Sequence, residues 1–146
     1  MRDDWEVRTV YRTYYANRDD PLVASGAHPL VQPQELHKLG RPLSSVLLRL
    51  KFPVTGSTIA ILFSCTPETA TTSRVYKMMA RDDTAGDAAR LAAFVADEER
   101  ILDEDLFVLE RYPHTALHLD LHEELHVRAD RLSVAYRRLL ADFVAG

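Results

Sequence analysis

The sequence predicts an α+β domain in which an antiparallel sheet curves around a long helix, with a short helix closing the chain. Three observations carry that reading. Segments in which apolar and polar residues alternate are confined to the first 81 residues, short connections join most of them, and from residue 84 or 85 apolar residues recur at spacings of three and four instead. A period of two marks a pleated strand with one buried face, and a period near 3.6 marks a helix. Consecutive strands on short connections favour antiparallel pairing, and strands followed by helices favour segregated layers.

Taken in order, residues 5–16 place Trp5, Val7, Thr9, Tyr11 and Thr13 on one parity and Val10, Tyr14 and several charges on the other, which is a strand pattern. Residues 17–42 hold Pro21, Pro29, Pro33, Pro42, Gly26 and Gly40 and read as one long loop, either a pocket cover or a plain surface excursion. Val46, Leu48, Leu50 and Phe52 then alternate with Leu47, Arg49 and Lys51. After a turn at 53–56, Ile59, Ile61 and Phe63 alternate with Thr58, Ala60 and Leu62. Residues 66–71 read as a connection, and 72–81 as a further strand containing Val75, Tyr76, Met78 and Met79. Cys65 follows a strand with no base beside it in sequence, and reads as a small buried side chain.

No Pro or Gly interrupts residues 87–112, and Pro113 follows at once. Ala88, Leu91, Phe94, Ile101, Val108 and Tyr112 keep a helical spacing through it, which predicts about seven turns, roughly 40 Å. Leu117, Leu119 and Leu121 alternate as in an extended piece. Asp130 is placed to N-cap a last helix that turns Leu132, Ala135, Tyr136, Leu139, Leu140 and Phe143 inward.

The 146 residues, 47% apolar and 27% charged, suit one domain spanning 1–146 that folds without staples. Cys65 is the only cysteine, so the chain forms no internal disulfide, cysteine-held zinc site or iron–sulfur cluster, and a reducing cytoplasm is the expected setting. With 22 acidic against 18 basic residues the net charge is −4, which argues against nucleic acid as a partner. No apolar run approaches the roughly 20 residues of a membrane span, and the acidic start does not read as a signal peptide.

One residue conflicts with its pattern. On a helical wheel Leu91, Phe94, Ile101, Leu109 and Tyr112 all lie within about 40° of Asp105, which places a carboxylate at the centre of the apolar stripe. Glu98 shares that stripe one heptad earlier. A lone ionised carboxylate facing a core costs several kcal/mol unless it is paired or metal-bound. Two readings follow: Asp105 or Glu98 pairs with an inward cation such as Arg49, Lys51, Arg74 or Lys77 or reaches a wet pocket, or Asp105 coordinates a metal or serves as an acid or base in a cavity.

His114, His118, His122 and His126 recur every four residues, but in an extended piece such residues lie about 13 Å apart and cannot share an ion. The row reads as solvated. Arg137 and Arg138 read as a solvated face or as salt-bridge donors, and no phosphate loop, nucleophile elbow or His-Glu-x-x-His helix is present.

The runs EDLFVLE at 104–110, LDLHEELHVRADR at 119–131 and VAYRRL at 134–139 resemble the C-terminal end of Rieske-type aromatic-ring-hydroxylating oxygenase alpha subunits, the vanillate-demethylase-like group included. FSCTP at 63–67 and TTSRVY at 71–76 resemble that family's strand pair. The resemblance implies a helix-grip fold of the START and Bet v 1 kind, with a mononuclear non-haem iron held by two histidines and one carboxylate, the carboxylate in an "ED" motif on the long helix. By position that ligand is Asp105. The family's two-histidine helix and its cluster-binding Cys and His pairs have no counterpart here, and His28 and His37 lack the required spacing.

A single carboxylate does not hold iron without the rest of the facial triad. One expectation is therefore the C-terminal half of a split oxygenase: this chain supplies the substrate pocket and Asp105, Fe(II) binds only with a partner chain, and that Rieske-bearing chain brings the cluster and both histidines. The alternative is a helix-grip domain without chemistry that binds an apolar or aromatic small molecule in a cavity lined by Val46, Leu48, Ile59, Ile61, Tyr76 and Met78. A third reading is a homo-oligomer joined through an open sheet edge.

Overall fold

The computed structural model describes residues 2–3, 6–42, 45–112 and 117–146. Six strands form one antiparallel sheet in simple sequence order: β1 (Arg2–Asp3), β2 (Glu6–Ala16), β3 (Val31–Arg41), β4 (Ser45–Phe52), β5 (Ser57–Pro67) and β6 (Ser73–Arg81). Two α-helices follow, α1 (Ala88–Leu109) and α2 (Arg131–Ala145), with short 3₁₀ turns at Leu121–Glu123 and Arg128–Asp130 between them. The α+β class and the order of strands before helices agree with the sequence pattern. Trp5, expected in the first strand, lies outside the described residues.

The chain divides into two compact units. One comprises Met1–Arg81 with His118–Gly146, and holds the sheet and α2; the other is Asp82–Leu117, and holds α1.

The largest departure from expectation is β3, because residues 31–41 are strand and only 17–30 are loop. Pro33 is tolerated for a positional reason. It lies opposite Tyr14 of β2, while the ladder to β4 begins only at Glu35–Lys51, so at Pro33 the strand borders β2 alone. A proline beyond the last rung removes no bond on that side. Gly40 serves a close approach: a Cβ built there would lie 3.2 Å from the Tyr136 ring of α2 and 3.3 Å from Val7 Cγ2. Hydrophobic alternation is also inverted at the start of β3, where Gln32 and Gln34 are buried and Val31 is 56% exposed.

Register sorts the side chains into two faces. Val7, Gly40, Val46 and Phe63 form one cross-strand row, and Leu36, Leu50 and Ile59 form another on the same face. Val7, Phe52, Ile59 and Ile61 are the buried apolar residues of the sheet, and α2 adds Leu139. α2 packs on the β2–β3 end, where Tyr136 lies against Gly40 and its hydroxyl donates to the Arg41 carbonyl at 3.4 Å. Ile61 pairs with Met79, which puts Tyr76 and Met78 on the opposite face from Val46, Leu48, Ile59 and Ile61. These six residues therefore do not line one cavity.

Smaller differences have local causes. β5 continues through Pro67, so Cys65 is paired with Val75 near the strand's end and is exposed rather than buried. α1 stops at Leu109, three residues short of expectation; Arg111 and Tyr112 donate to Val108 and Leu109 at 3.1 Å in a tightened last turn before Pro113, whose ring disfavours helix in the residue before it. Residues 117–120 are irregular, and Asp120 caps the following 3₁₀ turn by accepting from His122 N at 2.9 Å. Asp130 occupies the N-cap position of α2, but its carboxylate accepts from Val127 N at 2.8 Å and does not cap the helix. Phe143 is 44% exposed, whereas Arg137 is buried and pairs with Glu124 at 2.7 Å.

The contact at Gly40 gives a direct test. Gly40→Val is expected to destabilise the protein by about 1–3 kcal/mol through overpacking against Tyr136 and Val7, read from urea unfolding midpoints. Tyr136→Ala in the same background should recover part of that loss.

Candidate functional site

Asp87 starts α1 by accepting from Arg90 N at 3.0 Å, which satisfies one of the first-turn amides. From that origin Leu91, Phe94, Glu98, Ile101, Asp105 and Leu109 fall on one side of the helix. Two of the acidic residues beside the stripe are paired within the helix: Arg100 donates to Asp97 and to Glu104, both at 2.6 Å. Those hydrogen bonds, the one to Asp97 first, raise the Arg100 pKa further above its ordinary value. Asp105 has a different setting. Among the described residues no hydrogen bond or ion pair reaches it, and no residue of α1 is buried.

The cations expected as partners for Asp105 belong to the sheet unit, and two of them are engaged there. Arg74 pairs with Glu68 at 2.6 Å, and Lys77 Nζ lies 6.0 Å from the centre of the Phe63 ring. Arg49 and Lys51 are exposed on the sheet face opposite Leu48 and Leu50. Of the histidine row, His114 lies outside the described residues, and His118, His122 and His126 sit in the irregular and 3₁₀ stretch before α2. Among the described residues no three His, Cys, Asp or Glu side chains converge as a metal site would require. Asp105 therefore offers one carboxylate, and the described residues do not complete an iron centre around it.

A second polar constellation was not legible as one. The β2–β3 loop closes on Asp20, whose side chain is about 1% exposed. Its Oδ2 accepts from Gln32 Nε2 at 2.6 Å and lies 2.7 Å from His28 Nδ1, and its Oδ1 accepts from Leu22 N at 3.0 Å. Gln32, fully buried, also donates to the Pro29 carbonyl at 3.0 Å and accepts from Asn17 at 3.2 Å. The only sequence signal was the Asp20–Pro21 pair, since aspartate bonding the amide two residues on is a common turn device. Burial pushes the Asp20 carboxyl up, but the bonds from Gln32, Leu22 and His28 outweigh it and hold its pKa below the ordinary carboxylate range. His37 pairs likewise with Glu35 at 3.3 Å, and with Arg12 keeps that carboxyl low.

Residues 3–146 match the family described as the vanillate O-demethylase oxygenase C-terminal domain. No curated protein and no solved structure matches the chain. No helix among the described residues is long and apolar enough to cross a membrane.

The Asp20 cluster sets a pH dependence. A carboxylate held below its unfolded value stabilises the fold above that value, and the stabilisation is lost as pH falls through the folded one. Asp20→Asn should therefore lower the urea midpoint near pH 7 by more than it does near pH 2, where wild type and variant converge.

Proposed function

This chain belongs to the vanillate O-demethylase oxygenase C-terminal domain family and forms the C-terminal part of a Rieske-type oxygenase, and on that footing we propose that Asp105 is its contribution to a mononuclear iron centre. The observation that supports this reading is the setting of Asp105: a carboxylate on the apolar stripe of α1, with no ion pair among the described residues, while its neighbours Asp97 and Glu104 are both taken by Arg100. A carboxylate left without a cation in that position is suited to receive one. In this reading the two histidines and the Rieske cluster come from polypeptide outside these 146 residues, since the described residues do not complete the ligand set. Oxygen activation belongs to the completed centre.

In this reading the row Val46, Leu48, Ile59 and Ile61, aligned on one face by the β4–β5 register, supplies apolar wall for an aromatic substrate. The same row would equally serve a domain that binds an apolar molecule without chemistry. Iron separates the two.

The test is reconstitution with a polypeptide that carries the cluster motifs and the two-histidine helix, followed by metal analysis and electron paramagnetic resonance. One iron beyond the cluster is expected per complex, and Asp105→Ala should abolish that signal while the cluster signal and the complex persist. Unchanged iron content in the variant would refute the assignment, and a variant that binds an aromatic ligand as wild type does, with neither protein taking up iron, would favour the domain without chemistry.

A further inference from the structure

The face of the sheet turned away from α2 divides into an apolar part and a cationic part. Leu39, Leu47, Leu62 and Met78 form one cross-strand row on it, with Met78 65% exposed and the leucines half-buried. Further along β4 the rows turn basic: Arg49 stands between His37 and Ala60, and Lys51 between Glu35 and Thr58. We propose that this face is an interface between copies of this chain, and that it receives the side of α1 formed by Val95, Glu99, Asp103 and Leu106 of a second copy.

Charge sets the first condition. Arg49 and Lys51 are exposed on a central strand, and neither has a carboxylate partner among the described residues. Glu35, the acidic residue in their two rows, is taken by Arg12 at 3.0 Å and by His37 at 3.3 Å. Unpaired cations on an exposed strand face are matched by an acidic surface. The chain carries one: Asp82–Leu117 holds ten acidic residues against three basic, whereas the rest of the chain holds twelve against fifteen. Within that segment Asp97 and Glu104 are taken by Arg100, while Glu99 and Asp103 are exposed with no cation partner among the described residues.

Spacing and shape set the second. Glu99 and Asp103 are four residues apart, about 6 Å along the helix axis, and Arg49 and Lys51 are two residues apart on one face of a strand, roughly 6–7 Å. On the helical wheel Val95, Leu106 and Asp103 all lie within about 40° of Glu99, on a side about 120° from Asp105. Val95 is 47% and Leu106 43% exposed. A helix laid along β4 with Glu99 and Asp103 over its cations sets Val95 and Leu106 over the β5 and β6 positions Ala60, Leu62 and Met78, where small and apolar side chains allow close approach. Apolar burial then supplies affinity, and the two ion pairs fix register and partner. Because the two patches differ, each copy offers both, and the contact is head-to-tail: it closes into a ring or extends into a chain. It uses the side of α1 away from Asp105 and is independent of the iron reading.

Sedimentation velocity of the full chain tests this with two charge-reversed variants, Arg49→Glu with Lys51→Glu on the sheet and Glu99→Lys with Asp103→Lys on the helix, both checked for folding by circular dichroism. Wild type is expected to self-associate, and to do so less as ionic strength rises from about 0.05 to about 0.5 M. Each variant alone should associate at least about tenfold more weakly, because like charges then face each other. Mixed in equal amounts, the two variants should recover association: the acidic sheet face of one meets the basic helix side of the other, and the unaltered patches meet as in wild type. Recovery on mixing requires contact between chains and does not arise from pairing within one. A monomeric wild type, variants that associate as wild type does, or a mixture no more associated than its components would overturn the proposal.

Discussion

The ladder between β2 and β3, running without a break from Val7–Gly40 to Ala16–Val31, is the constraint on which the sheet unit depends. It fixes the parity of both strands and therefore decides which side chains meet α2. It also brings Gly40 opposite Val7, where the Tyr136 ring comes down onto the backbone. At the far end the same ladder delivers Gln32 beneath the loop, where it meets Asp20 and Asn17. A slip of one residue would turn Val7 outward and bury charged neighbours, so apolar burial at one end and polar burial at the other enforce a single register.

Much of this architecture was legible in the sequence because most of the strands are half buried, and half burial writes a period of two. β4 and β5 show it cleanly. β3 was missed because each cue used to recognise a strand is reversed there: buried positions are glutamines, an exposed position is valine, and the residues that read as breakers occupy a strand extension and a close contact. The extent of α1 was overread at its C-terminus because Tyr112 keeps the helical spacing while its amide bonds back only three residues. Cys65 reads as buried because free cysteines usually are, but it lies at the end of β5, which extends past the buried rows.

The candidate sites divide along similar lines. Asp105 stood out because a helical wheel needs only local sequence, and the family resemblance pointed to the same residue. The Asp20 cluster draws on Asn17, Asp20 and His28 of the loop and Gln32 of β3, and its chemistry exists only once the ladder has set the register. Arg137 shows the same limit. Its charge suggests a solvated face or a salt-bridge donor, and the second holds, but in a buried setting against Glu124 of the segment before α2.

The loop that closes on Asp20 has a consequence for how this protein can vary. Its shape is held from beneath, by a carboxylate, an imidazole and two amides, while Leu22 and Ser25 at its outer side face solvent. Such a loop separates form from surface. Chains that keep Asn17, Asp20, His28 and Gln32 can exchange the outer residues freely and still present the same contour, so divergence among relatives should concentrate on the exterior of the loop while its four inner residues drift little.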